Sequence, residues 1–578
     1  MATKISALMS SFNPSPSGVR RWLRLFPPVT LLIFLIPIAA GLVGTLLPSL
    51  GYLPGSEHAQ LSLTPWRNFF SAPGVGHALY LTLLTGLGAT ILATLLAVAF
   101  SASWHGSRAI FYLRRWLAPL LASPHAAFAI GFAFLLAPSG WLIRAFSPWA
   151  TGWERPPDFI FIQDPNGLAL LVALVCKEIF FILLMIWSAM GQVNADRLLD
   201  VARTLGYRPV SAWCKIVLPL IYPQIRLPVY AVLAYSLSLA EMAIILGPTA
   251  PPTLSVLMLT WFQDSAPAIR FQGAASAVFL LMCVIGIIAI WRATECLGGL
   301  VTRVWLTSGN RRFADTFVRL MSGGGMIAIL AITVGSLLAL ILWSITSVWR
   351  FPDFFPGSFS LDTWLYIWPR LKESIFFTTV VAVVCATIAV FTVLGCLENE
   401  LWNRKGPARN LLRMLYLPLL VPQISFLFGL QVVFTLMNID GTWGAVVWSH
   451  LIFVLPYTFL VLSDPYRALD FRYARSASSL GASPLRLFWR IRAPLLLGAI
   501  AISFAVGFSV SVAQYLATLF PGVGRFPTLT TEAVIAVSGG DRRITAVFGL
   551  TQLILPLLVF AVAMMITVGR TRQFEGKK

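Results

Sequence analysis

The sequence predicts an all-α, polytopic membrane protein of about twelve transmembrane helices arranged as two parallel six-helix repeats. Three observations predict it. Hydrophobic residues make up 58% of the 578-residue chain and charged residues 11%, with a mean hydropathy of +0.82, whereas soluble chains carry close to a quarter charged residues. Apolar stretches of at least about eighteen residues recur along the chain, each long enough for a hydrocarbon core of about 30 Å. A polar block between the fourth and fifth stretches returns in the second half of the chain with its key residues at the same spacing.

In chain order, the first six spans are expected near Pro28–Leu47, Gly76–Phe100, Trp116–Leu136, Gly167–Met190, Ile225–Leu246 and Phe271–Trp291. The second six are expected near Gly325–Val348, Ser374–Cys396, Leu415–Met437, Gly444–Leu462, Gly498–Leu519 and Thr545–Val568. The first span is longer than the apolar core of a cleaved signal and is followed by eleven like it, so it reads as a permanent anchor. The organisation expected is a cytoplasmic tail over 1–26, a first membrane domain over 27–291, a cytoplasmic linker over 292–324, a second membrane domain over 325–569 and a short tail over 570–578.

The formal charge of +20 would suggest nucleic acid as a partner in a soluble chain, but its distribution points to the membrane. With the N-terminus inside, the segments facing the cytoplasm hold 30 of the 42 Lys and Arg residues and those facing outward hold 10. Basic flanks resist translocation, so both termini are expected in the cytoplasm of a bacterial inner-membrane protein whose surroundings are lipid. None of the six cysteines falls in an outward loop, so no disulfide framework is expected.

A shift of 275 residues lays Ala202, Leu205 and Gly206 over Ala477, Leu480 and Gly481, and Pro209, Ile216 and Pro219 over Pro484, Ile491 and Pro494. Six spans per half make the repeat parallel, related by an axis along the membrane normal. In the first copy Leu198, Leu199, Ala202 and Leu205 have helical spacing. Gly206 suits a helix stop and Pro209 the start of a second short helix, which Pro219 is expected to break before the next span. A polar amphipathic loop present twice suggests something docked against it; an interfacial helix on lipid is the plainer alternative.

The block resembles the EAA loop of permeases in binding-protein-dependent ATP-binding cassette importers: Glu-Ala-Ala, three residues, Gly, nine residues, Ile, one residue, Leu-Pro. Asp200-Val201-Ala202, Gly206, Ile216 and Leu218-Pro219 satisfy the pattern. In the second copy Gly481, Ile491 and Pro494 keep the spacing, while Arg475-Ser476-Ala477 replaces the leading triplet and Ala493 the Leu. The fused two-domain form resembles iron(III)- and thiamine-type permeases. The resemblance implies two separate ATPase subunits, each gripping one loop over residues 200–209 and 475–484, and an external solute-binding protein. Arg475 in place of an acidic residue puts the equivalence of the two contacts in question. No GxxxxGK[ST] phosphate loop is present, so ATP is expected to be used by partner subunits, with no cofactor, catalytic site or metal site in this chain.

Ionisable groups inside a span are costly and each needs a reason. Lys177, Glu178, Glu241, His125 and His450 stand out. Ser236 to Glu241 matches Ser509 to Gln514 at a shift of 273, so Gln514 takes the place of Glu241. Both are candidates for the translocation path, Glu241 roughly 24 Å up a continuous fifth helix at 1.5 Å per residue; packing against a neighbouring helix is the alternative. Lys177 and Glu178, adjacent on a helix, need separate partners, and the two histidines fit helix–helix hydrogen bonds better than metal ligation. The function expected is a permease without catalysis; the alternative is a twelve-helix secondary transporter driven by an ion gradient. The transported solute is open, with iron(III), thiamine or another small solute suggested by the resemblance.

Overall fold

In the computed structural model, residues 21–53, 60–311, 314–402 and 417–575 are described. The N-terminal tail through Arg20, Arg312 and the basic stretch from Arg404 to Arg413 lie outside these residues, as do Lys577 and Lys578. The described chain is almost wholly helical. Among the described residues, eleven helices are long and apolar enough to cross a membrane, and the shorter Gln423–Leu436 stands in the ninth place. A two-stranded antiparallel pairing of Thr346–Val348 with Ser358–Phe359 lies between the seventh and eighth helices.

The halves interlock. The first helix, Phe26–Ser49, runs along Gln423–Leu436 in the other half, where Gly41 and Gly44 meet the backbone of Phe426 and Gly429. A β-carbon at any of these glycines would overlap the facing backbone, the small-residue contact by which membrane helices pack without a hydrophobic drive. The seventh helix, Asp315–Ser344, repeats the arrangement on His125–Leu136, with Gly131 against the carbonyl of Ser336. Each first span thus packs on the third span of the opposite half. Around this crossing, Val75–Ser103 packs on Leu168–Gln192 in one half and Trp443–Arg467 on Ala493–Val512 in the other.

The third span, the ninth span and Pro219 need correction, and the fifth and eleventh spans, expected as Ile225–Leu246 and Gly498–Leu519, are each interrupted, after Ser238 and after Val512. The third span is not one helix over Trp116–Leu136: it divides into Arg108–Ala122 and His125–Leu136. The ninth divides likewise, into Leu417–Leu420 and Gln423–Leu436, and its expected start at Leu415 lies outside the described residues. Pro124 and Pro422 cause both divisions, since proline pushes the residue before it out of helical geometry; Ser123 is extended at ψ 124°. Pro219 does the opposite of what was expected. Helix runs from Pro209 to Ser238 through Pro219, because a π turn over Trp213–Val217 precedes it. The wider turn carries the preceding carbonyls clear of the pyrrolidine ring. Pro494 is accommodated identically behind Phe488–Arg492.

Candidate functional site

The repeated blocks fold alike. Ala195–Thr204 and Phe471–Ser479 are the first short helices, and Pro209–Ala212 and Pro484–Leu487 the second. Between them Gly206 and Gly481 take φ of +79° and +77°, the left-handed region that glycine enters without a β-carbon penalty. The amide of Tyr207 donates to the Ala202 carbonyl at 3.1 Å and that of Ala482 to the Ala477 carbonyl at 3.0 Å, closing each helix in a Schellman-type cap. Ala202 and Ala477 are buried beneath their helices, while Ile216 and Ile491 sit in the π turns.

What remains outward differs between the copies. The first block exposes Asp200, Val201 and Leu205, and the second Tyr473, Arg475 and Leu480, with Leu205 55% and Leu480 88% exposed. The second block is fastened to its own half: the Arg492 guanidinium reaches Glu398 Oε2 at 2.7 Å, Trp402 Nε1 donates to the same oxygen at 2.8 Å, and Tyr466 donates to Oε1. Arg467 adds a two-pronged pair with Glu400 at 2.9 and 3.0 Å.

Glu241 and Gln514 are not where a continuous helix would put them. The fifth span ends at Ser238, and Glu241 opens a separate helix, Glu241–Leu246; the eleventh ends at Val512, and Gln514 precedes Leu516–Gly522. Neither break contains Gly or Pro. Hydroxyls on the returning helices Leu254–Phe262 and Leu529–Ser538 take up the freed carbonyls: Ser255 Oγ donates to Leu239 O at 3.2 Å, and Thr530 Oγ1 to Val512 O. Thr82 and Thr378, from the second and eighth spans, accept the amides of Leu254 and Leu529 at 2.9 and 2.8 Å. Irregular backbone at membrane depth is tolerated only inside protein or along a cavity, so two such breaks mark a built region.

Around the first break Glu241 is buried and accepts a long bond, 3.4 Å, from Tyr235 Oη. The Tyr235 ring lies 5.0 Å from that of His125, whose Nε2 is 3.5 Å from Glu178 Oε1. Lys177 Nζ donates to the carbonyl and hydroxyl of Ser123 at 2.7 and 2.8 Å. Lys177 and Glu178 therefore do have separate partners. Around the second break His450, which falls on Lys177 at the shift of 273, bridges Ser511 and Thr518 at 2.9 Å each. It is a helix–helix hydrogen-bonder, as expected. No group of three metal-ligating side chains occurs among the described residues.

Residues 392–570 match the family model described as "binding-protein-dependent transport system inner membrane component". The chain is 32% identical over 524 residues, 89% of its length and 93% of the relative's, to the inner membrane ABC transporter permease protein YnjC of Escherichia coli (strain K12). It is 24% identical over 163 residues to the spermidine/putrescine transport system permease protein PotC of the same strain, covering 28% of this chain and 62% of PotC. Identity to that strain's putrescine transport system permease protein PotI is 24% over 165 residues, 27% of this chain and 59% of PotI.

Proposed function

Since this chain belongs to the inner membrane ABC transporter permeases, we propose that it forms the whole translocation path of a binding-protein-dependent importer and is driven by two separate ATPase subunits, one at each repeated block. The observation that carries this reading is the duplicated anatomy of the blocks: helix, left-handed glycine, proline-led second helix and π turn, in register across 275 residues. Asp200, Ala202, Gly206 and Pro209 build the first contact, with Ile216 and Pro219 leading force into the fifth span. Ala477, Gly481, Pro484, Ile491 and Pro494 do the same for the eleventh. The blocks and both termini face the cytoplasm, on the strength of the basic residues, and a solute-binding protein delivers cargo to the opposite face.

The cargo fits best as a small cationic solute. Glu241 is a buried carboxylate that takes a long hydrogen bond from Tyr235, at a helix break packed on Leu529–Ser538 of the other half. A carboxylate so placed gains from a cation. Iron(III), thiamine and the polyamines for which PotC and PotI are named share positive charge.

The test is reconstitution. The chain should co-purify with two copies of an ATPase, and uptake into vesicles should require ATP on the cytoplasmic side and survive collapse of ion gradients. Uptake by the chain alone, driven by a proton or sodium gradient, would establish the secondary transporter instead.

A further inference from the structure

The first block is held by a different device from the second. At the start of the second short helix in the second block, Ser483 caps its own helix, its Oγ accepting from the Arg486 amide. The corresponding residue in the first block is Arg208, which supplies no side-chain cap. The cap arrives from elsewhere. Asp315, first residue of the seventh span, accepts the Val210 amide on Oδ1 at 3.1 Å. The residues just past the sixth span add more: the Arg208 amide donates to the Arg311 carbonyl at 3.1 Å, and Lys215 Nζ donates to Ser308 O and Oγ at 2.8 and 3.3 Å. Lys215 is buried and lies 5.0 Å over the Trp305 ring, while the Arg311 guanidinium covers Tyr207 at 5.7 Å and borders Gly206.

We propose that Ser308, Arg311 and Asp315 form a clasp: by capping and bracing the first block, they set the position from which that block meets its ATPase. The inference rests on the docking role proposed for the block. The connection between the halves is then a working part of coupling at one contact, while among the described residues the second block is capped by its own Ser483. Asp315 and Ser308 are positioning residues, since neither lies on the outward face formed by Asp200, Val201 and Leu205.

The strength of the clasp resides in the cap and the buried ammonium. The Arg208–Asp315 charge pair is long, 3.9 Å, and half exposed at its Arg208 end although Asp315 is largely covered; at that length and with one end in solvent it contributes little beside the cap. Asp315→Asn keeps an acceptor for Val210 and should behave as the parent chain. Asp315→Ala removes it and Lys215→Met removes the bond to Ser308, so each should raise amide exchange over residues 205–215 by about tenfold. Exchange over 480–490 should stay as in the parent. The readouts are made on the assembled complex, with uptake per ATP hydrolysed and with a Val201→Cys cross-link to the ATPase. Increased exchange confined to the first block, with several-fold lower uptake per ATP and weaker cross-linking, supports the clasp. Unchanged exchange in both variants overturns it, as does increased exchange with unaltered uptake per ATP. A Val201→Cys that never cross-links in the otherwise unaltered complex, with exchange still responding, refutes docking at the block and leaves the brace intact.

Discussion

The fifth span breaks at Leu239–Ala240 and the chain returns through Leu254–Phe262; the eleventh breaks at Ala513–Tyr515 and returns through Leu529–Ser538. Backbone support is the same at both: a hydroxyl for the freed carbonyl, and a threonine from the second or eighth span for the returning amide. The chemistry beside them is not the same. The first break is ringed by Glu241, Glu178, Lys177 and His125, whereas the second has Gln514 and a His450 bonded to two hydroxyls. The second half does bury a carboxylate, Glu532, on its returning helix, but Arg370 answers it. What the two halves share is architecture; what they divide between them is charge. Under the proposed transport role, shared architecture would let both halves move alike and divided charge would place recognition of the cargo on one side.

The largest expected effect falls on Glu241. Glu241→Leu should strand the Tyr235 hydroxyl and reduce both assembled complex and uptake, while Glu241→Gln, similar in volume and still an acceptor, should assemble normally yet lower uptake by about tenfold, the size of a lost charge-assisted contact. Gln514→Leu should be much milder on uptake. Initial uptake normalised to assembled complex decides. Equal losses from Glu241→Gln and Gln514→Leu would erase the functional difference between the breaks, and normal uptake by Glu241→Gln would remove Glu241 from the path.

Architecture is tested by the supporting hydroxyls, with a smaller effect expected in both halves. Thr530→Val leaves the Val512 carbonyl unanswered and also removes the acceptor of Gln552 Nε2, at 2.6 Å. Ser255→Ala loses two longer bonds, 3.2 Å to the Leu239 carbonyl and 3.3 Å with the Thr253 hydroxyl. A buried polar group left unpaired costs about 1–3 kcal/mol, so Thr530→Val should lower the thermal midpoint of the purified complex more than Ser255→Ala, and both should lower it. A midpoint unmoved by either would mean that water, not these side chains, supports the breaks.

The contrast between breaks and blocks also shows what kinds of structure a sequence advertises. The blocks were legible because their turning points need particular residues: Gly206 and Gly481 for positive φ, Pro209 and Pro484 for a helix start. The breaks in the fifth and eleventh spans were not, because their cause is remote. Ser255 and Thr530 lie more than a dozen residues beyond the carbonyls they bond, and Ala-rich backbone at Ala240 and Ala513 reads as uninterrupted helix. Pro219 misled for a related reason: a π turn has no residue signature, yet it removes the clash that made proline look like a stop. The divisions at Pro124 and Pro422 were signalled by proline and obscured by apolar residues on either side.

The smallest expected difference separates charge at a break from the cluster around it. In the double variant Glu241→Gln with Gln514→Glu, the carboxylate is moved to the opposite half. If any acid at either break sufficed to meet a cationic solute, uptake would return to near the parent level. The geometry argues against that. A carboxylate at Gln514 would enter a site organised by His450, Ser511 and Thr518, where the imidazole already spends both nitrogens on hydroxyls, while Lys177, Glu178 and His125 stay behind in the first half. The double variant should therefore transport within about twofold of Glu241→Gln alone, about 0.4 kcal/mol on the scale where tenfold is about 1.4. Recovery to the parent rate would show that the two breaks face one common path and that the polar groups around Glu241 serve packing rather than recognition.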